Sequence, residues 1–313
     1  MMFLTGSGPG RITFRCFLCR VLVSSTILIS SAGCSIAHLN TEVRRQRGLV
    51  IVLPGIEGKS VWNLNIARGL DDGGVDHGIE IFEWGTQVPF GMLINLTDQG
   101  RNYRVAKELS ERILEYQGRY PGRPVHLVGH SGGAGIAIMA VEQLPKDARI
   151  AGMVLLAAAV SPQHDLRGAL ERVDYGIYSY FSDRDIGLLK VGTTLFGTMD
   201  RRYEASAGAV GFVHPQFLRD SDHSLYEKLH QIRWRPAMRA YGNAGGHAGW
   251  TRRRFVRKCL ATVIIDTSSR RTAFDWNDRP FPGFGAFRDR DAVSVADDAS
   301  ARLPDRERSE LSN

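Results

Sequence analysis

Residues 125–134 read Val-His-Leu-Val-Gly-His-Ser-Gly-Gly-Ala, and the fold is decided there. Val125 to Val128 is a short apolar run of strand character, and Gly133 to Leu144 is apolar almost all round until Pro145, as suits a central helix packed on every side. Between them stands Gly129-His130-Ser131-Gly132-Gly133, a junction so tight that small residues must flank the serine. A strand that turns this abruptly into a helix lifts the serine away from the backbone. A serine hydroxyl is a weak nucleophile, and it needs a base beside it and amide donors to stabilise an oxyanion. Ser131 is therefore the candidate nucleophile, and the glycines around it are there for steric reasons.

Outward from this junction the chain alternates. Gly48 to Pro54 reads Gly-Leu-Val-Ile-Val-Leu-Pro, a continuous aliphatic run ending at a breaker, as expected of a strand buried on both faces. Ile79 to Trp84, Ile150 to Val160 and Ile177 to Phe181 are further apolar runs, and another strand is expected near Trp234 to Tyr241. Val105, Leu109, Ile113 and Tyr116 recur at helical spacing between Asn102 and Gln117, and a last helix is expected from Arg252 to Val263. Strand alternating with helix predicts an α/β fold, with a mostly parallel central sheet covered by helices on both faces.

The 313 residues are 43% hydrophobic, enough for a sizeable core. The formal charge of +7 is carried by arginines scattered through the chain, which argues against a nucleic-acid partner. Arg11, Arg15 and Arg20 precede an apolar stretch from Val21 to Ile29 and the small residues Ser30 to Gly33, the layout of a secretory signal peptide over residues 1–33. That stretch is too short to span a bilayer. Ser31-Ala32-Gly33-Cys34 resembles the lipobox of bacterial lipoproteins, which implies lipidation of Cys34 and peripheral attachment to a membrane. Ordinary cleavage after Ala37, following Ser35-Ile36-Ala37, is the alternative. Cys16 and Cys19 would leave with the signal, so no internal disulfide framework is expected. Residues 34–47 read as a linker, 48–285 as one catalytic domain, and 286–313 as a charged, disordered tail. No sequence feature specifies an oligomeric state.

The strand, elbow and helix around Ser131 resemble the α/β-hydrolase superfamily, from the first buried strand to the last helix. Leu53-Pro54-Gly55-Ile56-Glu57-Gly58 is similar to the His-Gly-x-x-Gly oxyanion loop of lipases, with Pro54 in the histidine place. The resemblance implies an oxyanion hole formed by the backbone amides of Ile56 and Gly132. It also implies a triad acid and then a histidine after the serine, each on a loop at a strand's carboxyl end. Ser182-Asp183-Arg184-Asp185 follows a strand, and the short turn the family leaves before its acid favours Asp185, with Asp183 as the alternative. Of His214, His223, His230 and His247, the last is best placed, in the glycine-rich loop from Tyr241 to Trp250.

His223 and His230 could share a helix face, but no third ligand stands at metal spacing, so no metal and no cofactor are expected. His130 is expected to pack or line the pocket. Phe196, Tyr203, Phe212 and Phe217 lie in a region that could cap the site, and form either an apolar wall for an acyl chain or core. The resemblance implies an exported serine hydrolase that forms an acyl-enzyme on a small-molecule or lipid-like carboxylic ester. Acyl transfer to another alcohol, and a catalytically silent envelope binding protein on the same fold, are the alternatives.

Overall fold

Leu49–Leu53 (β1) has five aliphatic residues in a row, and all five are buried. A strand with no polar face can lie only in the interior of a sheet. β1 accordingly pairs in parallel with β2 (Gly78–Ile81) on one side and β3 (Val125–His130) on the other. The computed structural model, which describes residues 36–86, 91–185, 198–200, 205–215 and 220–269, continues the sheet through β4 (Gly152–Leu156), β5 (Ile177–Phe181) and β6 (Leu229–Arg233). The strand order is β2-β1-β3-β4-β5-β6, parallel at every pairing.

Helices α1 (Val61–Asp72), α2 (Gly91–Thr97), α3 (Gln99–Arg119) and α4 (Gly132–Glu142) connect the first strands. The chain leaves β1 in one direction to reach β2, then crosses back to β3. With right-handed crossovers this reversal sends α1 and α3 to opposite faces of the sheet. α3 buries Val105, Leu109, Ile113 and Tyr116 along one stripe, and the Asp98 carboxylate accepts from the Arg101 N–H at 2.9 Å to start the helix. α4 is apolar and buried nearly throughout, packed against β1, β3, β4 and α3. The last helix runs from Arg253 through a π turn at Val256–Leu260 into α5 (Ala261–Ser269), and it packs on α1.

The same reversal makes a switch point. Leu53 and Gly129 are register partners, so the loops after β1 and β3 leave the sheet side by side at its carboxyl edge.

Several expected boundaries move. The strand expected at 234–241 lies earlier, as β6, because Pro236 has no N–H to give a ladder and residues Pro236–Tyr241 coil into a 3-10 helix. His230 is consequently on β6, stacked on Tyr178 with ring centroids 4.7 Å apart, and does not share a helix face with His223. The run from Ile150 to Val160 pairs as a strand only from Gly152 to Leu156. The signal-peptide stretch, Cys34 and the charged tail lie outside the described residues, as do Phe196, Tyr203 and Phe217.

Candidate active site

Ser131 sits between β3 and α4 with φ 54° and ψ −120°. It and Ala157 are the non-glycine residues with positive φ among the described residues. Such a conformation costs about 1–3 kcal/mol and persists only where the surroundings hold it. Here they do: the Ser131 N–H donates to the Leu156 carbonyl at 2.9 Å, and the Ala159 N–H donates to the Ser131 carbonyl at 3.2 Å. The glycines are required by close approach. A Cβ on Gly133 would stand 2.2 Å from the Pro54 carbonyl oxygen, and one on Gly129 would stand 2.6 Å from the Ala134 Cα.

Across the switch point, β1 delivers Pro54 to Gly58. The loop closes with the Gly58 N–H donating to the Gly55 carbonyl at 3.0 Å. Three side chains then fasten its carbonyls: the Trp84 indole donates to Pro54 at 2.7 Å, Asn95 to Ile56 at 2.9 Å, and Asn63 to Gly58 at 3.0 Å. Asn102 in turn donates to the Asn95 carbonyl at 2.9 Å. Tying down the carbonyls fixes the direction in which the loop's remaining amides point. Neither Ile56 N–H nor Gly132 N–H has a backbone acceptor among the described residues. They are neighbours, since a Cβ on Gly132 would meet Ile56 Cγ2 at 2.6 Å. The helix start at Gly132 adds the positive end of the α4 dipole.

A parallel sheet covered by helices thus carries a strained serine at the strand-to-helix turn of an inner strand. This is the α/β-hydrolase fold. Residues 100–190, which include the elbow, match the family described as serine aminopeptidase, S33. Among solved structures, a Xanthomonas campestris protein described under the alpha/beta hydrolase superfamily is 16% identical, with a TM-score of 0.39 over 70% of this chain and 99% of its own. A Thermus thermophilus protein is also 16% identical, with a TM-score of 0.44 over 74% of this chain and 92% of its own. A Pyrococcus furiosus esterase is 11% identical, with a TM-score of 0.41 over 71% of this chain and 82% of its own. No curated protein matches the chain.

In α/β-hydrolase order, the acid and the histidine follow the serine. The His247 Nδ1–H donates to Asp185 Oδ2 at 2.7 Å, and Asp185 is 3% exposed. Asp183 points elsewhere, to an ion pair with Arg233 at 3.0 Å in which both side chains are about half exposed. Two loops from different strands are needed to make the Asp185–His247 contact, and Ser182 ties them together. Its buried hydroxyl donates to the Gly245 carbonyl at 2.5 Å, while its carbonyl accepts from the Asp185 N–H at 3.1 Å. The Asn243 side chain accepts from the Gly245 N–H at 2.9 Å, which shapes the glycine-rich loop from within.

His247 is brought to the elbow through His130. The two rings have centroids 4.7 Å apart, and the His130 Nε2–H donates to the His247 carbonyl at 3.3 Å. Trp62 stands edge-on to both, at 5.6 Å and 6.2 Å. Burial holds the His130 pKa well below its ordinary value, and the neighbouring His247 pushes it the same way, so His130 is neutral. No hydrogen bond joins His247 to Ser131 among the described residues.

Other candidates separate from this site. Phe212 is buried at 5% exposure and is the member of the expected aromatic wall that the structure describes. Cys259 is a buried thiol whose pKa burial pushes up to about 12, so it is a packing residue. Among the described residues, no group of three His, Cys, Asp or Glu could hold a metal, and no helix is long and apolar enough to cross a membrane. Glu57, Trp62, Asn95, Asn102 and Ser182 have places in the site that reading the sequence did not assign.

Proposed function

We propose that the chain is a serine hydrolase acting on carboxylic esters, with Ser131 as nucleophile, His247 as base and Asp185 as the acid that orients it. The observation that carries this reading is the 2.7 Å contact of Asp185 with His247 Nδ1, beside a serine held at φ 54°. With Nδ1–H committed to the carboxylate, His247 Nε2 keeps the lone pair that takes the hydroxyl proton. Ser131 Oγ then bonds to the carbonyl carbon. The oxygen that gains the charge is met by the Ile56 and Gly132 amides, each worth about 100-fold to 1000-fold in turnover. The His247 imidazolium returns its proton to the departing alkoxide, leaving an acyl-enzyme. Water, deprotonated by the same imidazole, releases the acid and restores Ser131. No step needs a metal or cofactor.

We extend the proposal to location. The basic, apolar and small-residue segments of residues 1–33 support export, and Ser31-Ala32-Gly33-Cys34 supports a lipid anchor. Additional acyl chains would be needed for stable attachment, because one chain holds only marginally. Recovery in the membrane fraction should be lost on Cys34→Ala, and its persistence would rule the anchor out.

The test of the chemistry is hydrolysis of p-nitrophenyl esters of graded chain length. Wild type should turn over at least the short esters, and His247→Ala should lose roughly 1000-fold or more in kcat. Added methanol that diverts product to the methyl ester would show the acyl-enzyme directly. Equal turnover by wild type and His247→Ala would sink the assignment.

A further inference from the structure

Glu57 is a carboxyl group inside this site for which the reaction described above has no use. A Cβ on Gly55 would lie 3.2 Å from Ser131 Cβ and 2.2 Å from Glu57 Oε2, so the carboxyl and the nucleophile share the space above Gly55. Glu57 Oε1 accepts from the Ser60 hydroxyl at 3.3 Å and faces His130 Nδ1 at 4.0 Å. His130 offers it no positive charge, being neutral, and no proton, since its Nε2 carries the hydrogen donated to the His247 carbonyl. Nδ1 is thus a second acceptor, buried and without a hydrogen-bond partner. Lys59, the adjacent cation, is turned away to Glu83 at 2.9 Å. No lysine or arginine pairs with Glu57 among the described residues.

A half-dry carboxylate with no fixed counter-charge is costly. Burial pushes its pKa up. Its own backbone N–H, the charge of a protonated His247, the Ser60 hydroxyl and the Gly55 N–H draw it part of the way down, and none of these is a fixed cation. The wall beside it is aromatic: Trp62 is in the first turn of α1, its N–H donates to the same Ser60 hydroxyl at 3.3 Å, and its half-buried ring packs edge-on to His130 and His247. Carboxylate and indole together favour a cation. Trp62 packs on His247, the group that would protonate a leaving alcohol, and Glu57 faces the adjoining His130, so an alcohol taking its proton from His247 would meet both.

We propose that Glu57 and Trp62 form a subsite for a protonated amine carried on the alcohol part of the substrate, making the enzyme selective for esters of amino alcohols over neutral esters of the same shape. This inference rests on Ser131 hydrolysis as described above.

The test uses an isosteric pair, 2-(dimethylamino)ethyl acetate, which is protonated at pH 7, and 3-methylbutyl acetate. In wild type, kcat/KM should favour the cationic ester by roughly tenfold or more, the scale of one charge-assisted contact. Glu57→Gln should bring the ratio towards one, and Glu57→Lys should invert it. Trp62→Leu should lower it by a smaller factor. A wild-type ratio of one or less, or a ratio unchanged in Glu57→Gln, overturns the subsite. Fluorophosphonate labelling separates the two failures. A labelled enzyme that shows no preference, or hydrolyses neither ester, overturns the subsite alone. Absence of both labelling and hydrolysis in folded wild type overturns the hydrolase reading with it.

Discussion

Asn95 is buried at 1% exposure, donates to the Ile56 carbonyl and accepts from the Thr86 N–H, each at 2.9 Å. Asn95→Ala deletes both bonds at once. A buried group left without its partner costs about 1–3 kcal/mol, but Ile56 and Thr86 are only half-buried and water can replace part of the loss. The expected destabilisation is therefore about 2 kcal/mol, read as a shift in the urea midpoint. Catalysis should suffer separately. The freed Ile56 peptide can tilt, and an oxyanion donor worth about 100-fold to 1000-fold is displaced rather than removed. On p-nitrophenyl acetate we expect kcat to fall roughly 10-fold to 100-fold, with KM within about threefold, because the donor acts mainly on the transition state. Asn95→Asp should be worse than alanine in kcat, since it keeps an acceptor for Thr86 but turns a carboxylate oxygen on the Ile56 carbonyl. A folded Asn95→Ala enzyme that is destabilised as expected yet keeps its kcat would refute the link between this side chain and the oxyanion loop.

The two aspartates after β5 should part company: Asp185→Asn should cost about 10,000-fold in kcat through loss of the imidazole's useful tautomer. Asp183→Asn, which breaks only an exposed ion pair, should leave activity and stability nearly unchanged. Equal losses would mean that the acid has been misassigned. His164 makes a prediction for stability. Burial alone would lower its pKa, but the carboxylates of Asp200 at 3.4 Å and Glu142 at 3.1 Å raise it to about 9. A raised histidine stabilises fully below its unfolded value near 6.5, and that contribution disappears as pH rises through 9. It is worth at most about 3 kcal/mol here. Denaturation midpoints of wild type should therefore fall between pH 6.5 and 9.5 by more than those of His164→Gln, and parallel profiles would contradict the assignment. On the acid side, burial holds His126 down to about 3, with neighbouring His77 adding in the same direction. Its contribution is complete above about 6.5 and lost as pH falls towards 3, so His126→Gln should flatten the acid limb.

The features legible in the amino-acid sequence are those that lie close together along the chain. The elbow occupies consecutive residues, with a strand, small residues around a serine, and an apolar helix, so its local chemistry is complete within ten positions. The β1 run and its loop are equally local. The acid and histidine needed the resemblance to supply their order, and Asp183 and Asp185 differ in role only because Arg233 holds one and His247 meets the other. β6 has a weak signature, because only Leu229 and Ile232 of its five residues are buried, while the longer segment from Trp234 to Tyr241 carries Trp234, Met238 and Tyr241. Asn95, Ser182 and Glu57 carried no signal at all. Each acts on a backbone or side chain brought near by folding, with Asn95 reaching 39 residues and Ser182 reaching 63 along the chain. A buried polar residue looks, in a single sequence, like any exposed one.

The proposed chemistry stands or falls on Ser131, and the most direct measurement is the mass of the intact protein and of its tryptic peptides after exposure to a fluorophosphonate. The prediction is one adduct per chain on the peptide carrying Ser131, absent in Ser131→Ala and formed far more slowly in His247→Ala. A folded wild type that takes no adduct, or a Ser131→Ala variant that takes one elsewhere at the same rate, would contradict it.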